Sequence, residues 1–116
     1  MLIGELARRT GVSARLLRYY ESQGLLAARR GPNGYRHYAE DAVVTVRQVR
    51  ALLGAGLSTE VIGSVLACAR GEEPVLRWCE ELRDVLRGEL ETLDERIEGL
   101  RHQRGNLADL LAQDPA

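Results

Sequence analysis

Two hydrophobic patterns divide the chain near residue 71. Over residues 1–71, short apolar stripes with helical spacing alternate with glycine-containing turns. These stripes predict helices at about residues 2–9, 14–23, 40–54 and 59–69. From Pro74 to about residue 112 no other proline occurs, and over residues 86–111 one apolar pattern repeats every seven residues, which is typical of a coiled-coil helix. The chain is therefore expected to be mostly α, with a small helical domain at 1–71 followed by one long helix at 74–113.

A four-residue turn at 10–13 joins the first two predicted helices. Gly11 can adopt the positive φ that a tight turn needs, Val12 can insert into the core, and Ser13 can cap the second helix. A helix, a short glycine-containing turn and a second helix form the helix-turn-helix pattern, in which the second helix reads DNA.

The second predicted helix ends at Gly24 and has one polar face. Arg15, Arg18 and Tyr19 share this face at spacings of three and four residues, whereas Leu17 is expected to point into the core. Two arginines and a tyrosine on one face suit a DNA major groove, but they also fit a surface helix with solvated arginines. The helix alone does not decide between these interpretations.

Residues 25–38 lose the helical spacing and predict a wing. Asn33 and Gly34 favour a tight hairpin turn because both residues tolerate positive φ, and the arms carry arginines, including Arg30 and Arg36. The sequence therefore predicts a basic two-stranded hairpin that tracks phosphates, with an irregular connecting loop as the alternative.

The long predicted helix carries a heptad seam that Arg104 interrupts. A helix of this length cannot bury its apolar stripe within so small a domain, so a second copy of the chain is expected to cover it. The alternative is a helix that folds back on its own domain. The predicted dimerisation residues are Leu86, Leu90, Leu93, Ile97, Leu100, Leu107 and Leu111.

Charge is distributed unevenly along the chain. Residues 1–60 hold nine arginines and five acidic residues, a net charge of +4, whereas residues 61–116 hold seven arginines and twelve acidic residues, a net charge of −5. The basic half suits a polyanion such as double-stranded DNA. The sequence has no catalytic motif, cofactor loop, membrane span or secretion signal. We therefore expect a cytoplasmic protein that is not an enzyme, uses no cofactor and contacts no membrane.

The residues that carry these patterns resemble the MerR family of bacterial transcription regulators. The resemblance rests on IGELA (3–7), GVS (11–13), LRYYE (17–21), GLL (24–26), GYR (34–36) and Tyr38. It implies a winged helix-turn-helix domain joined to a long helix that forms an antiparallel coiled coil in a homodimer. It also implies binding to an inverted-repeat promoter site whose spacer is bent and untwisted, so that RNA polymerase is affected indirectly through the DNA.

The resemblance also assigns roles by position. Arg18, Tyr19 and Tyr20 match contacts of the recognition helix, mostly to phosphate, and the family's variable, base-directed position falls on Arg15. With the helix cap and the wing contacts, the predicted DNA-binding set is Ser13, Arg15, Arg18, Tyr19, Tyr20, Arg30, Arg36 and Tyr38.

Cys79 raises the question of a sensed signal. It lies at the start of the long helix, where metal-sensing family members often place a cysteine ligand, but a soft metal needs two or three such ligands. Cys68 is expected in the core, and two cysteines without framework spacing predict no disulfide scaffold. Sensing members carry a further segment beyond the coiled coil, so we expect a minimal member without an effector domain.

Two other functions stay open from the sequence. One is a thiol- or metal-responsive regulator that uses Cys79. The other is a coiled-coil adaptor whose winged domain binds protein instead of DNA. The first 38 residues hold seven arginines against two glutamates, and this basic balance argues against the adaptor.

Overall fold

The structure, a computed structural model, describes residues 1–69 and 79–116, and it describes the side chains of residues 1–66 and 79–116. The elements in this part of the chain are α1 (Ile3–Thr10), α2 (Ala14–Ser22), β1 (Arg29–Arg30), β2 (Arg36–His37), α3 (Asp41–Gly54), α4 (Thr59–Ala69) and α5 (Glu80–Ala112). This confirms the mostly α fold with a winged helix-turn-helix and a long C-terminal helix. The predicted helix start at Pro74 lies outside the described residues.

The chain divides into two compact units, Met1–Leu82 and Arg83–Ala116. In the first unit, α1 packs against α2 and α3, and α3 packs against α4. No charged side chain is buried within the described residues, so the core gains its stability from apolar burial. Its most completely buried side chains are Leu6, Leu17, Tyr20, Leu25, Val46, Val49, Ile62, Val65, Leu66 and Leu82.

The turn between α1 and α2 forms as the sequence predicts. Gly11 adopts a φ of +72° and its N–H donates to the carbonyl of Ala7 at 2.9 Å. Val12 is buried, and the Ser13 hydroxyl accepts the N–H of Leu16 at 3.2 Å. These bonds satisfy backbone groups that helix ends leave open, and they fix the direction in which α2 starts.

α2 ends in a left-handed glycine cap. Gly24 has a φ of +75°, its N–H donates to the carbonyl of Glu21 at 3.1 Å, and the N–H of Leu25 donates to the carbonyl of Tyr20 at 2.9 Å. This pair of bonds is the Schellman motif. It turns the chain so that Leu25 and Leu26 enter the core before the wing begins.

The wing is an antiparallel pair of short strands. Arg29 lies opposite His37, and Arg30 lies opposite Arg36. This confirms the predicted hairpin with arginines on both arms.

The turn of the wing differs from the predicted one. The Gly34 N–H donates to the carbonyl of Gly31 at 3.0 Å, and Gly34 has a φ of +81°, but Asn33 keeps a negative φ. This combination is a type I turn followed by a left-handed glycine, with Pro32 setting the first central φ. The Asn33 side-chain oxygen accepts the N–H of Tyr35 at 3.2 Å, so Asn33 contributes its side chain and not a positive φ.

Polar links hold the segment after the wing against α1. The Tyr38 N–H donates to the carbonyl of Met1 at 2.7 Å. Arg9 pairs with Glu40, the residue before α3, with 2.9 Å between Nη1 and Oε2. The wing is therefore fixed at its C-terminal end.

The second unit is the remainder of α5 and the residues that follow it. Apart from Leu86, which is half-buried, the large apolar side chains along this helix are exposed by 41% to 75% in the single chain. They are Leu90, Leu93, Ile97, Leu100, Leu107, Leu110 and Leu111. None of the helices in the described part of the chain is both long and apolar enough to cross a bilayer.

Candidate DNA interface

The exposed face of α2 carries three of the residues predicted from the sequence. Arg15, Arg18 and Tyr19 are exposed, while Leu17 on the other side of the helix is fully buried. The helix thus uses one side for the core and leaves a cationic side to solvent. Ser13, the helix cap, is also exposed.

Tyr20 is a correction to the predicted contacts. Its side chain is only 1% exposed, and its hydroxyl has no hydrogen-bond partner among the described residues. Tyr20 follows Leu17 by three residues and therefore shares the core side of the helix. The prediction of a direct DNA contact is wrong for this side chain. Its ring lies 6.4 Å from the ring of Tyr19, at an angle of 55°, and so supports the exposed neighbour.

Tyr38 is the second correction. It is 2% exposed, and its hydroxyl donates to Oε1 of Glu21 at 2.8 Å. Tyr38 follows β2 and is held by the backbone of Met1. The predicted wing contact with DNA is wrong for this residue, which links the wing to α2 instead.

Glu21 is the residue that sequence reasoning missed. Its second carboxylate oxygen pairs with the guanidinium of Arg36 on β2, and its side chain is 18% exposed. The carboxylate therefore has a partner at each oxygen, and both partners come from the wing side. One signal was present in the sequence, because Glu21 is the only acidic residue in the arginine-rich stretch 13–38.

Four arginines around α2 and the wing have no ion-pair partner in the described part of the chain. Arg15, Arg18, Arg29 and Arg30 are exposed, and within the described residues none of them forms an ion pair. Guanidinium groups in this state suit phosphate and guanine, because each presents several N–H donors in one plane. The charge on this surface is therefore available to an outside anion.

An open cleft of about 650 Å³ lies between α2 and the wing. Arg18 lines it on the helix side and Arg36 on the wing side, with Tyr35 and apolar residues of the first turn nearby. Glu21, which pairs with Arg36, also lines the cleft, so the positive charge available to a phosphate there comes from Arg18 on the helix side.

Cys79 does not carry a free thiol in the structure. It is disulfide-bonded, and its sulfur accepts the N–H of Leu82 at 3.4 Å. A single bond is not the disulfide scaffold that the sequence argues against, and framework spacing does not report it, because pairing depends on the approach of two cysteines in space. The side chain of Cys68 lies outside the described residues. Among those described, no three metal-binding side chains form a group.

Known proteins are similar to the chain in both sequence and fold. A family profile described as "MerR HTH family regulatory protein" matches residues 1–67. The HTH-type transcriptional regulator HmrR of Rhizobium leguminosarum bv. viciae is 34% identical over 111 residues, which cover 96% of this chain and 84% of that protein.

Two solved structures share the fold. The transcription regulator PbrR691 from Ralstonia metallidurans CH34, solved in complex with lead(II), has a TM-score of 0.78 at 24% identity, over 100% of this chain and 90% of that one. HiNmlR, a MerR family regulator lacking the sensor domain and bound to promoter DNA, has a TM-score of 0.60 at 23% identity, over 96% and 86%. With its exposed basic helix, its wing and a profile match over more than half its length, the chain belongs to the MerR family of transcription regulators and carries a DNA-binding helix-turn-helix.

Proposed function

We propose that the chain acts as a symmetric homodimer that binds an inverted-repeat promoter site and bends and untwists the DNA between the half-sites. One observation carries this proposal: the same chain has an exposed cationic recognition helix and a long exposed apolar seam. A twofold dimer presents two recognition helices, so its natural target is a repeat with the same symmetry.

The exposed residues of α2 and the wing divide into two roles. Arg15, on the solvent side of α2, reads a base, because an arginine can form two hydrogen bonds to guanine in the major groove. Arg18, Tyr19 and Arg30, with the cap Ser13, contact the phosphate backbone and fix the register of the protein on DNA. Deformation of the spacer then adds discrimination at base pairs that the protein does not touch.

The seam on α5 supports a second copy of this chain as the covering partner. Its core positions follow spacings of four and three residues, and the positions that flank the core carry charges. The flanking charges are Arg87, Glu89, Asp94, Arg96 and Arg101. These charges distinguish the possible orientations of the two helices.

A parallel pair of helices would place like charges together. In that arrangement, Glu89 lies beside Asp94 of the partner subunit, and Arg96 lies beside Arg101 of the partner subunit. Like-charge pairs are destabilising, and twofold symmetry doubles each of them. The charge pattern therefore disfavours a parallel dimer.

An antiparallel pair removes the conflict in one register. When Leu86 lies opposite Leu111 of the partner subunit, the seams overlap over their full length, and Asp94 lies beside Arg101 of the partner subunit. A shift of one heptad in either direction places Arg101 beside its own copy or beside Arg87. Charge and overlap thus favour the same antiparallel register. Arg104 then sits in a core layer, at a cost in stability that helps to specify this register.

A salt-dependent gel shift on an inverted-repeat promoter fragment tests the proposal. We expect binding that weakens steeply as the salt concentration rises. Because a bend slows a DNA fragment most when it lies near the middle, the gel mobility of the complex should change when the site is moved along the fragment. Analytical ultracentrifugation should show a dimer. Arg18→Ala should weaken binding to all sequences and flatten the salt slope by about 0.9 per chain. Failure to bind any DNA at low salt would favour the adaptor function instead.

A further inference from the structure

Glu21 carries a negative charge on the surface proposed to bind DNA, where negative charge is unfavourable for binding. It lies in the last turn of α2, and five arginines surround it in the stretch 13–38. A carboxylate beside DNA phosphates lowers affinity through like-charge repulsion. A role that outweighs this cost must come from the contacts that the carboxylate makes within the protein.

Those contacts bridge two elements that are separate in sequence. Oε1 accepts the Tyr38 hydroxyl at 2.8 Å, and Oε2 pairs with Arg36. Both partners lie on the wing side, while Glu21 lies on the helix. Because the Glu21 side chain is only 18% exposed, solvent screens these contacts less than it screens a surface ion pair.

The wing itself requires a counter-charge. Arg30 and Arg36 are directly opposite each other in the strand pair, and like charges at such positions destabilise a hairpin. Glu21 offsets the charge of Arg36, whereas Arg30 has no ion pair with any residue that the structure describes. The two arginines of this pair are therefore not equivalent, although the sequence alone presents them alike.

We propose that Glu21 is a positioning residue of the DNA interface. Its carboxylate fastens the wing to α2 and neutralises Arg36, so that Arg36 holds the wing in place and adds no free charge for DNA phosphate. This inference rests on the proposed DNA-binding function, and it replaces the phosphate contact predicted for Arg36 from the sequence. Arg30 then supplies the wing's phosphate contact.

The salt dependence of binding to a random-sequence DNA duplex tests this role, since the slope counts the phosphates that the protein neutralises. Glu21→Gln keeps an acceptor for the Tyr38 hydroxyl but releases the charge of Arg36. We expect the slope to steepen by about 0.9 per chain. The double variant Glu21→Gln/Arg36→Gln should return to the wild-type slope, whereas the matched control Arg30→Gln should flatten it by about 0.9 per chain.

The opposite pattern overturns the inference. If Arg36 contacts phosphate independently of Glu21, Glu21→Gln leaves the slope unchanged and the double variant flattens it as much as Arg30→Gln does. The double variant replaces the ion pair with two neutral side chains, so its salt slope still distinguishes the two outcomes if Glu21→Gln alone is unstable. Absence of salt-dependent binding by the wild-type chain would reject the proposed function itself, and is thus distinguishable from failure of this inference.

Discussion

The two units of the chain treat their apolar side chains in opposite ways. In the described part of Met1–Leu82 most of them are buried by helices of the same chain, whereas in Arg83–Ala116 the leucines lie along one exposed helix. Burial of apolar surface is the main favourable contribution to folding. The first unit therefore has its own source of stability, whereas the seam of the second is left uncovered in the single chain.

Charge divides the chain in the same sense. Five of the nine arginines in residues 1–60 lie on α2 and the wing, while nine of the twelve acidic residues in 61–116 lie on α5. One unit is thus suited to an anionic ligand, and the other is the one that pairs with its own copy in the proposed dimer. Substitutions in the two units should consequently fail in different ways.

The largest effect is expected from a charge in the centre of the seam. Ile97→Asp removes a side chain whose burial is worth about 2–5 kcal/mol, and it does so twice in a symmetric dimer. The dimer dissociation constant should rise by at least about a thousandfold, as measured by analytical ultracentrifugation. His102→Asp introduces the same charge on the far side of the helix and should leave the dimer intact. A dimeric Ile97→Asp variant would mean that the seam is not the interface.

The next prediction distinguishes apolar burial within one chain from apolar burial by a partner. Leu17 is fully buried within a single chain, so Leu17→Ala should destabilise the first unit by about 2–5 kcal/mol at every protein concentration. Leu100→Ala should lower the melting temperature only at concentrations where the dimer forms. Denaturation followed by circular dichroism over a range of concentrations distinguishes the two. If the loss of stability caused by Leu17→Ala depended on protein concentration, the first unit would not be stabilised by burial within a single chain.

A change at Arg15 should affect DNA discrimination and leave assembly untouched. Arg15→Ala is expected to lose about 1–3 kcal/mol of preference for the operator over a scrambled site in each half-site. Fluorescence anisotropy with both duplexes measures the ratio, with the exposed Arg50→Ala on α3 as a control that should retain it. Full discrimination by Arg15→Ala would assign base reading to another residue.

Tyr20 provides a smaller test inside the DNA-binding unit. Its buried hydroxyl has no partner in the described part of the chain, so Tyr20→Phe should preserve DNA affinity and raise stability by about 1 kcal/mol, because an unsatisfied buried polar group is removed. Chemical denaturation and a binding isotherm give the two readouts. A marked loss of DNA affinity in a correctly folded Tyr20→Phe variant would mean that the Tyr20 hydroxyl contacts DNA directly, in spite of its burial in the single chain.

The smallest effect concerns the register of the seam. Asp94→Arg places two arginines together in the proposed dimer and should weaken it by about 0.2–1 kcal/mol for each of the two pairs. Adding Arg101→Asp should restore the wild-type dissociation constant, because the pair is then reversed. If Asp94→Arg and Arg101→Asp each lowered the dimer affinity and the double variant showed the sum of the two losses, the pairing of Asp94 with Arg101 of the partner subunit would be rejected.

Features that depend on neighbouring residues were predictable from the sequence. The cap at Ser13, the helix end at Gly24 and the hairpin after it form through bonds between residues a few positions apart. The turn of the wing takes a different form from the one that the Asn33–Gly34 dipeptide predicts, because Pro32 precedes this dipeptide. A proline at that position presets the φ of a type I turn.

Features that depend on packing across the domain were not predictable. Position in a motif assigned Tyr20 and Tyr38 to the DNA surface, but their exposure is decided by where α2 and the wing meet the core. The contact between Glu21 and Tyr38 joins residues 17 positions apart. No local pattern reports such a contact, although a single acidic residue in a basic stretch indicates that some partner is needed.

The cationic surface of this regulator has a consequence for how it can be modified and probed. The chain has sixteen arginines and no lysine, so its positive charge cannot be removed by lysine acetylation. Amine-directed cross-linkers will likewise find no lysine on the helix or the wing. Reagents that attack guanidinium groups, applied with and without DNA, are the appropriate chemistry for footprinting this face.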